Sequence, residues 1–239
     1  MRSIAPLAEM PSLRELRLDS TGVEDLTPLE KLTALEELSL RHLGVSSLAP
    51  LAKLTALRSL DLSYMAVSHL SPLAGLAALR SLHLTGTAAT DLSVLAELIG
   101  LRQLGLCSLA VSSLAPLLKL TALRSLDLSY TAVSDLSPLA GLTALQSLNL
   151  TGTAATDLSP LAELTALQEL ELARTRVTDL SPLAGLAPLR SLYLYGLPIG
   201  IEAVLGRLPM LRIDRQRSPV PPPPPPLRPY PPSSAHTPT

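Results

Sequence analysis

Phenylalanine and tryptophan are absent from the 239 residues, and five tyrosines are all the chain has of the larger aromatics. Compact single-core domains usually rely on such rings to fill their interior. Apolar residues nonetheless make up 47% of the chain, so Leu, Ala and Val must fill many copies of one small layer. Cysteine occurs once, at Cys107, which excludes an intrachain disulfide framework and fits a reducing compartment. Net charge is −1, leaving no electrostatic bias toward nucleic acid or an acidic membrane. No apolar run approaches the roughly 18 residues of a membrane span, and Met1–Pro6 lacks the apolar stretch of a secretory signal. The expectation is a cytoplasmic protein, or a secreted or surface-attached one if a region upstream is missing. His42, His69, His83 and His236 have no metal-ligand spacing, and Gly86 and Gly152 stand in Thr-Gly-Thr turns rather than a phosphate-cradling loop. No metal or cofactor is expected.

What the chain does contain is one motif, repeated. Leucine recurs at 13, 35, 57, 79, 101, 123, 145, 167, 189 and 211, each time 22 residues on. Within a unit the frame runs L-x-x-L-x-L, a turn, Val or Ala, then L-x-x-L-x-x-L, as in Leu123, Leu126, Leu128, Val133, Leu136, Leu139 and Leu142. Leucines two apart share one face of a strand. Leucines three apart fit a tight 3-10 turn better than a long helix. Ser137-Pro138 reads as the start of that turn, Ser as its cap and Pro where no N–H is needed; Thr27-Pro28, Ser71-Pro72, Ser159-Pro160 and Ser181-Pro182 repeat the pair. One strand and one return segment cannot bury their own leucines, so the units must stack.

The stretch Leu123–Leu142, LRSLDLSYTAVSDLSPLAGL, resembles the 22-residue leucine-rich repeats of bacterial internalin-like proteins, and the likeness runs from residue 1 to about 213. It implies an α/β fold: a right-handed leucine-rich-repeat solenoid with a parallel β-sheet on the concave face and short 3-10 or irregular segments on the convex face. It also implies recognition of another protein. The family usually places Asn at the ninth position, where stacked side chains bond the turn backbone. Here that position holds Thr21, Thr87, Thr131, Thr153 and Thr175, but Leu43, Met65, Leu109 and Leu197 elsewhere. Thr can donate one such bond and Leu or Met none, so an interrupted ladder is expected.

A larger period lies above the first. Residues 35–100 and 101–166 agree at 51 of 66 positions, with all 21 core positions identical. The sheet-facing positions differ at 7 of 15, against 8 of 30 for the remainder. The organisation expected is a partial repeat at 1–12, nine repeats at 13–210, an exit at 211–217 and a disordered proline-rich tail at 218–239. Ile4, Leu7 and Met10 fill the last core positions of a unit without a strand and without a polar cap before it. An improvised cap or a lost upstream region would meet that need, and the second is the expectation. Residues 201–208 read as a short amphipathic helix. In the tail, Pro223-x-x-Pro226-x-Arg228 matches the pattern that SH3 domains read, although a solvated low-complexity segment accounts for it as well.

Two variable columns on the strand face carry the functional reading. The first follows the opening Leu and includes Arg58, Arg80, Arg102 and Arg124, which neighbouring strands would set about 5 Å apart as a basic ridge. The second lies between the second and third leucines and includes Asp61, His83, Asp127, Glu171 and Tyr193. Tyr64, Tyr130 and Tyr195 stand close by, and Tyr is a common interface anchor. These twelve residues form the expected partner-binding face. A solvated Arg edge and local strand packing of Tyr would explain the same residues without a partner. Asp61, His83 and a hydroxyl of Ser63 or Thr85 make a hydrolase-like trio on paper, yet an open sheet offers no pocket or oxyanion site; an enzyme is not expected. The expected function is protein binding through the concave face. The alternatives are an orphaned structural repeat block, or an adaptor acting through its proline-rich tail.

Overall fold

The computed structural model describes residues 3–197 and 212–214. Ten strands form one parallel sheet in sequence order: β1 (Glu15–Arg17), β2 (Glu37–Ser39), β3 (Ser59–Asp61), β4 (Ser81–His83), β5 (Gln103–Gly105), β6 (Ser125–Asp127), β7 (Ser147–Asn149), β8 (Glu169–Glu171), β9 (Ser191–Tyr193) and β10 (Arg212–Asp214). The register never slips: Leu16, Leu38, Leu60 and their successors pair with the equivalent Leu one unit on. This is the leucine-rich-repeat solenoid expected from the 22-residue period, with one strand more than its nine full units, because Arg212–Asp214 pairs with β9. The amphipathic segment at 201–208 and the tail from 218 lie outside the described residues.

The return segments are 3-10 turns, as the three-residue leucine spacing requires. In the sixth unit the N–H of Leu139 donates to the carbonyl of Leu136, Leu142 to Leu139 and Leu145 to Leu142, each at 2.9 Å. Backbone bonding and core burial thus fall on the same residues, a geometry available only to a period of three. The leucines form one continuous cluster along the solenoid. Position nine, counting the first Leu of a unit as one, belongs to that cluster: Leu43, Met65 and Leu109 are buried, and so are four of the five threonines there. Thr21, Thr131, Thr153 and Thr175 each donate a 2.7 Å bond to the carbonyl three residues earlier in their own unit, and Thr87 finds no partner. The ladder is interrupted, as the residue types demand. At the first unit Ile4 packs on the core while Met10 is 49% exposed.

One local assignment needs correction. The Ser of Ser-Pro does not cap the 3-10 turn; the residue two places before it does. Asp135 Oδ1 accepts the Ser137 N–H at 2.9 Å, and Asp25, Asp91, Asp157 and Asp179 do the same at their own turns. Ser itself occupies the first turn residue, where its N–H is one of the orphan donors. Ser47 and Ser113 serve more weakly, at 3.4 Å, and His69 stands where the third unit would have its cap.

These bonds hold the five aspartates below their ordinary value of 3.8. The Thr or Ser hydroxyl is the main cause at Asp25, Asp135 and Asp157, and the backbone N–H at Asp91 and Asp179. A depressed carboxylate pKa gives stability that is full above the unfolded value and is lost as pH falls through the folded one. The melting temperature, followed by circular dichroism, is therefore expected to drop below about pH 4. Changing all five to Asn, which keeps the acceptor but not the charge, should flatten that acid limb. Conversely, His69→Asp supplies the missing cap and should raise Tm at pH 7 by about 1–3 °C; an unchanged or lower Tm would show that the third turn has no use for one.

Candidate partner-binding face

Each strand is three residues long, and in β2 to β9 a buried Leu stands at its centre with residues of the sheet face on either side. The outward positions are three and five, and position two precedes them. The unit-to-unit columns at these positions therefore line one face, held by the leucines beneath.

The central column is partly committed to the fold. Asp61 Oδ1 accepts the Ser63 N–H at 2.9 Å, Asp127 Oδ1 accepts both the N–H and the hydroxyl of Ser129, and Asn149 Oδ1 accepts the Thr151 N–H. These are Asx turns that bend the chain out of the strand. His83 bonds Ser81 at 3.2 Å, while Asp61 meets Arg41 at 3.7 Å. Asp61 and His83 are thus engaged elsewhere, and the trio drawn from sequence is not assembled. His83 leans over Gly105, where a Cβ would lie 2.8 Å from its ring. Glu171 differs from the rest. It is half-buried, its Oε2 has no hydrogen-bond partner, and burial raises its pKa, with Asp127 and Glu169 adding to the rise and the Thr151 hydroxyl opposing it.

The arginine column divides into three behaviours. Arg58 shares Glu36 with Arg14, the Arg58 contact being 3.2 Å. Arg80 turns back on its own unit and donates to the carbonyls of Ala77 and Leu79. Gly100 makes room for it, since a Cβ there would fall 2.1 Å from Arg80 Nη1. The equivalent neighbours of Arg102 and Arg124 are Ala122 and Ala144, and neither arginine has an acidic partner among the described residues. Both are exposed. With Arg80, Ser81, Gln103, Ser125, Gln146 and Ser147 they line a shallow groove of about 460 Å³.

The tyrosines separate in the same way. Tyr64 and Tyr130 do not project from the strands. They occupy the turn beyond, at φ 61° and 57°, and each ring packs its Cδ1–Cε1 side against the glycine of the next unit, Gly86 and Gly152. Tyr64 also stacks on His42, with centroids 4.6 Å apart and planes 7° from parallel. Both are partly buried and form a rim to the face rather than its centre. Tyr193 is on β9 beside Glu171, and Tyr195 is exposed. The face therefore presents Arg102 and Arg124 along one edge, His83, Asp127, Glu171 and Tyr193 in the middle, and a Tyr-on-Gly rim opposite. Reading from sequence missed Glu169, Thr151 and the four glycines. The glycines did leave a signal: Gly86 and Gly152 each follow a Tyr by 22 residues, which in a stacked repeat means direct contact.

The description "Leucine Rich repeats (2 copies)" fits residues 121–163. Among curated proteins nothing matches the sequence. Solved structures match well. An internalin of Listeria monocytogenes, inlF, superposes with a TM-score of 0.81 at 31% identity over 86% of this chain, which spans 61% of that one. Internalin C2 of the same organism gives 0.76 at 31% identity over 80% of this chain and 92% of its own. A leucine-rich-repeat protein of Leptospira interrogans gives 0.73 at 21% identity, covering 88% of this chain and 62% of that one, a likeness of fold.

Proposed function

The chain belongs to the internalin-like leucine-rich-repeat proteins, and from that premise we propose that it is a recognition module that binds a partner protein across the middle of its concave sheet. The observation that carries the reading is the contrast between its duplicated blocks. The core, position nine included, is identical at 23 of 24 positions, while 5 of the 9 positions two, three and five on the face have changed. A scaffold kept rigid beneath a face that varies is the division of labour a binding surface needs, because rigidity limits the ordering cost of association. The Arg102–Arg124 edge supports the same reading: these guanidiniums are exposed and unpaired among the described residues, whereas Arg58 and Arg80 are occupied. No helix among those residues is long and apolar enough to cross a membrane, which suits a face open to solvent.

Capture of a partner by the full chain, then alanine scanning of both faces, tests the proposal. Arg124→Ala is expected to weaken binding by over about 1 kcal/mol. Arg102→Ala with Arg124→Ala should slow association and flatten its salt dependence. The convex changes Ser134→Ala and Thr156→Ala should leave affinity unaltered. Binding energy found on the convex face, or in residues 218–239, would overturn the reading.

A further inference from the structure

We infer that the groove over β5 and β6 is the seat of a short acidic segment of the partner protein, its carboxylates held by Arg102 and Arg124. The inference deepens the reading above and rests on it. Residues 57–78 and 123–144 are equivalent units of the duplicated blocks, and their strand faces are the same: Arg58, Ser59 and Asp61 in one, Arg124, Ser125 and Asp127 in the other. The units before them, 35–56 and 101–122, differ at all three of those places, with Glu36, Glu37 and Ser39 in one and Arg102, Gln103 and Gly105 in the other. The two blocks therefore set the same arginine beside opposite charges. Glu36 Oε2 lies 3.2 Å from Arg58 Nε, so the first arginine is neutralised within the fold. Arg124 has Arg102 beside it instead, its backbone N–H donating to the Arg102 carbonyl at 2.8 Å. Like charges on neighbouring strands destabilise a sheet. Among the described residues neither guanidinium has an ion pair to offset that, and Asp127, three residues from Arg124, accepts the N–H and hydroxyl of Ser129.

A second observation is one of shape. The two exposed arginines line a groove of about 460 Å³. Gln103, Ser125, Gln146 and Ser147 add donors to its wall, and among the described residues no Asp or Glu lines it. Donors without an anion of their own fit a carboxylate, whose two oxygens match the fork of a guanidinium. The groove runs over β4 to β7, about 14 Å at the usual strand spacing and the length of about four residues of extended chain. Glu37 on β2 and Glu169 on β8 stand beyond its two ends, so a longer acidic run meets repulsion there.

The test titrates acetylated and amidated tetraglutamate into the isotope-labelled full chain, with tetraglutamine as control. Tetraglutamate is expected to move the amide signals of Arg102, Gln103, Arg124 and Ser125, less so at higher salt, and tetraglutamine to leave them in place. Arg102→Glu gives Arg124 the neighbour that Arg58 has, and should cut the response at Arg124 and Ser125 at least about fivefold. Glu36→Arg with Glu37→Gln should create a second response, at Arg58 and Ser59. Each substitution installs the residue of the equivalent unit on the sheet face and leaves the core intact, so loss of the fold does not imitate either result. No response to tetraglutamate, an undiminished response in Arg102→Glu, or no gain at Arg58 overturns the seat. A stronger response to a four-residue oligothymidylate overturns its assignment to a protein segment. If the peptide fails but a captured partner still loses affinity in Tyr193→Ala, the concave-face reading stands without the seat; if the binding energy lies on the convex face, that reading falls whatever the titration gives.

Discussion

Leu128→Ala is expected to destabilise the chain by roughly 3–5 kcal/mol, the upper range for a buried leucine truncated to alanine. Leu128 is 0% exposed and sits between Leu106 and Leu150, both equally buried. Its neighbours above and below are fixed by continuous backbone pairing: Leu106 donates its N–H to Asp127, and Leu128 donates to Asn149. Little collapse into the cavity can follow, because any shift of one unit breaks register with two others. Leu106→Ala should behave alike. Thr143→Ala, an exposed change in the next return loop, is the reference. Chemical denaturation measures the difference, and near-equal midpoints for Leu128→Ala and Thr143→Ala would refute the inward assignment. Coupling between units also predicts that the loss spreads, since a solenoid unit contacts only its neighbours and fails with them.

The second large effect is expected at Gly152. Its φ is +69°, and a Cβ there would lie 2.8 Å from Tyr130 Cδ1. Gly152→Ala thus meets two penalties: about 1 kcal/mol for a left-handed alanine and about 1–3 kcal/mol for overpacking against a ring lodged in a turn. A double-mutant cycle separates them. In a Tyr130→Ala background the overpacking component should vanish and the backbone component remain. Gly44→Ala is the control, because a Cβ at Gly44 meets nothing within 4 Å. Equal costs with and without Tyr130 would show that the ring does not hold the turn.

The candidate face was only half legible beforehand. Arg58, Arg80, Arg102 and Arg124 are indistinguishable as letters in a column, yet an ion pair with Glu36 occupies the first, Gly100 lets the second fold under, and only the last two remain free. Tyr64 and Tyr130 look like strand residues by spacing, but an Asx turn at Asp61 and Asp127 ends the strand before them. Likewise Ser137 reads as a cap by residue type, whereas Asp135, two places earlier, accepts the N–H of Ser137 itself. In each case the outcome turned on a contact to a neighbouring unit or on a local bond, neither of which a column of residue types records.

The period and the leucine spacing by themselves determined the stacking of units and their 3-10 returns, while the parallel sheet was what the family resemblance implied and the interrupted ladder followed from the residue types at position nine. Stacking and returns follow from burying the same positions of successive units, which no single unit can do alone. What only the tertiary structure decided is which polar side chains are spent within the fold. Hydrogen bonds and ion pairs depend on distances of a few tenths of an ångström between units, and on whether a glycine leaves room. That is why Glu171, one letter among a varied column, emerges as a half-buried carboxylate whose pKa burial raises.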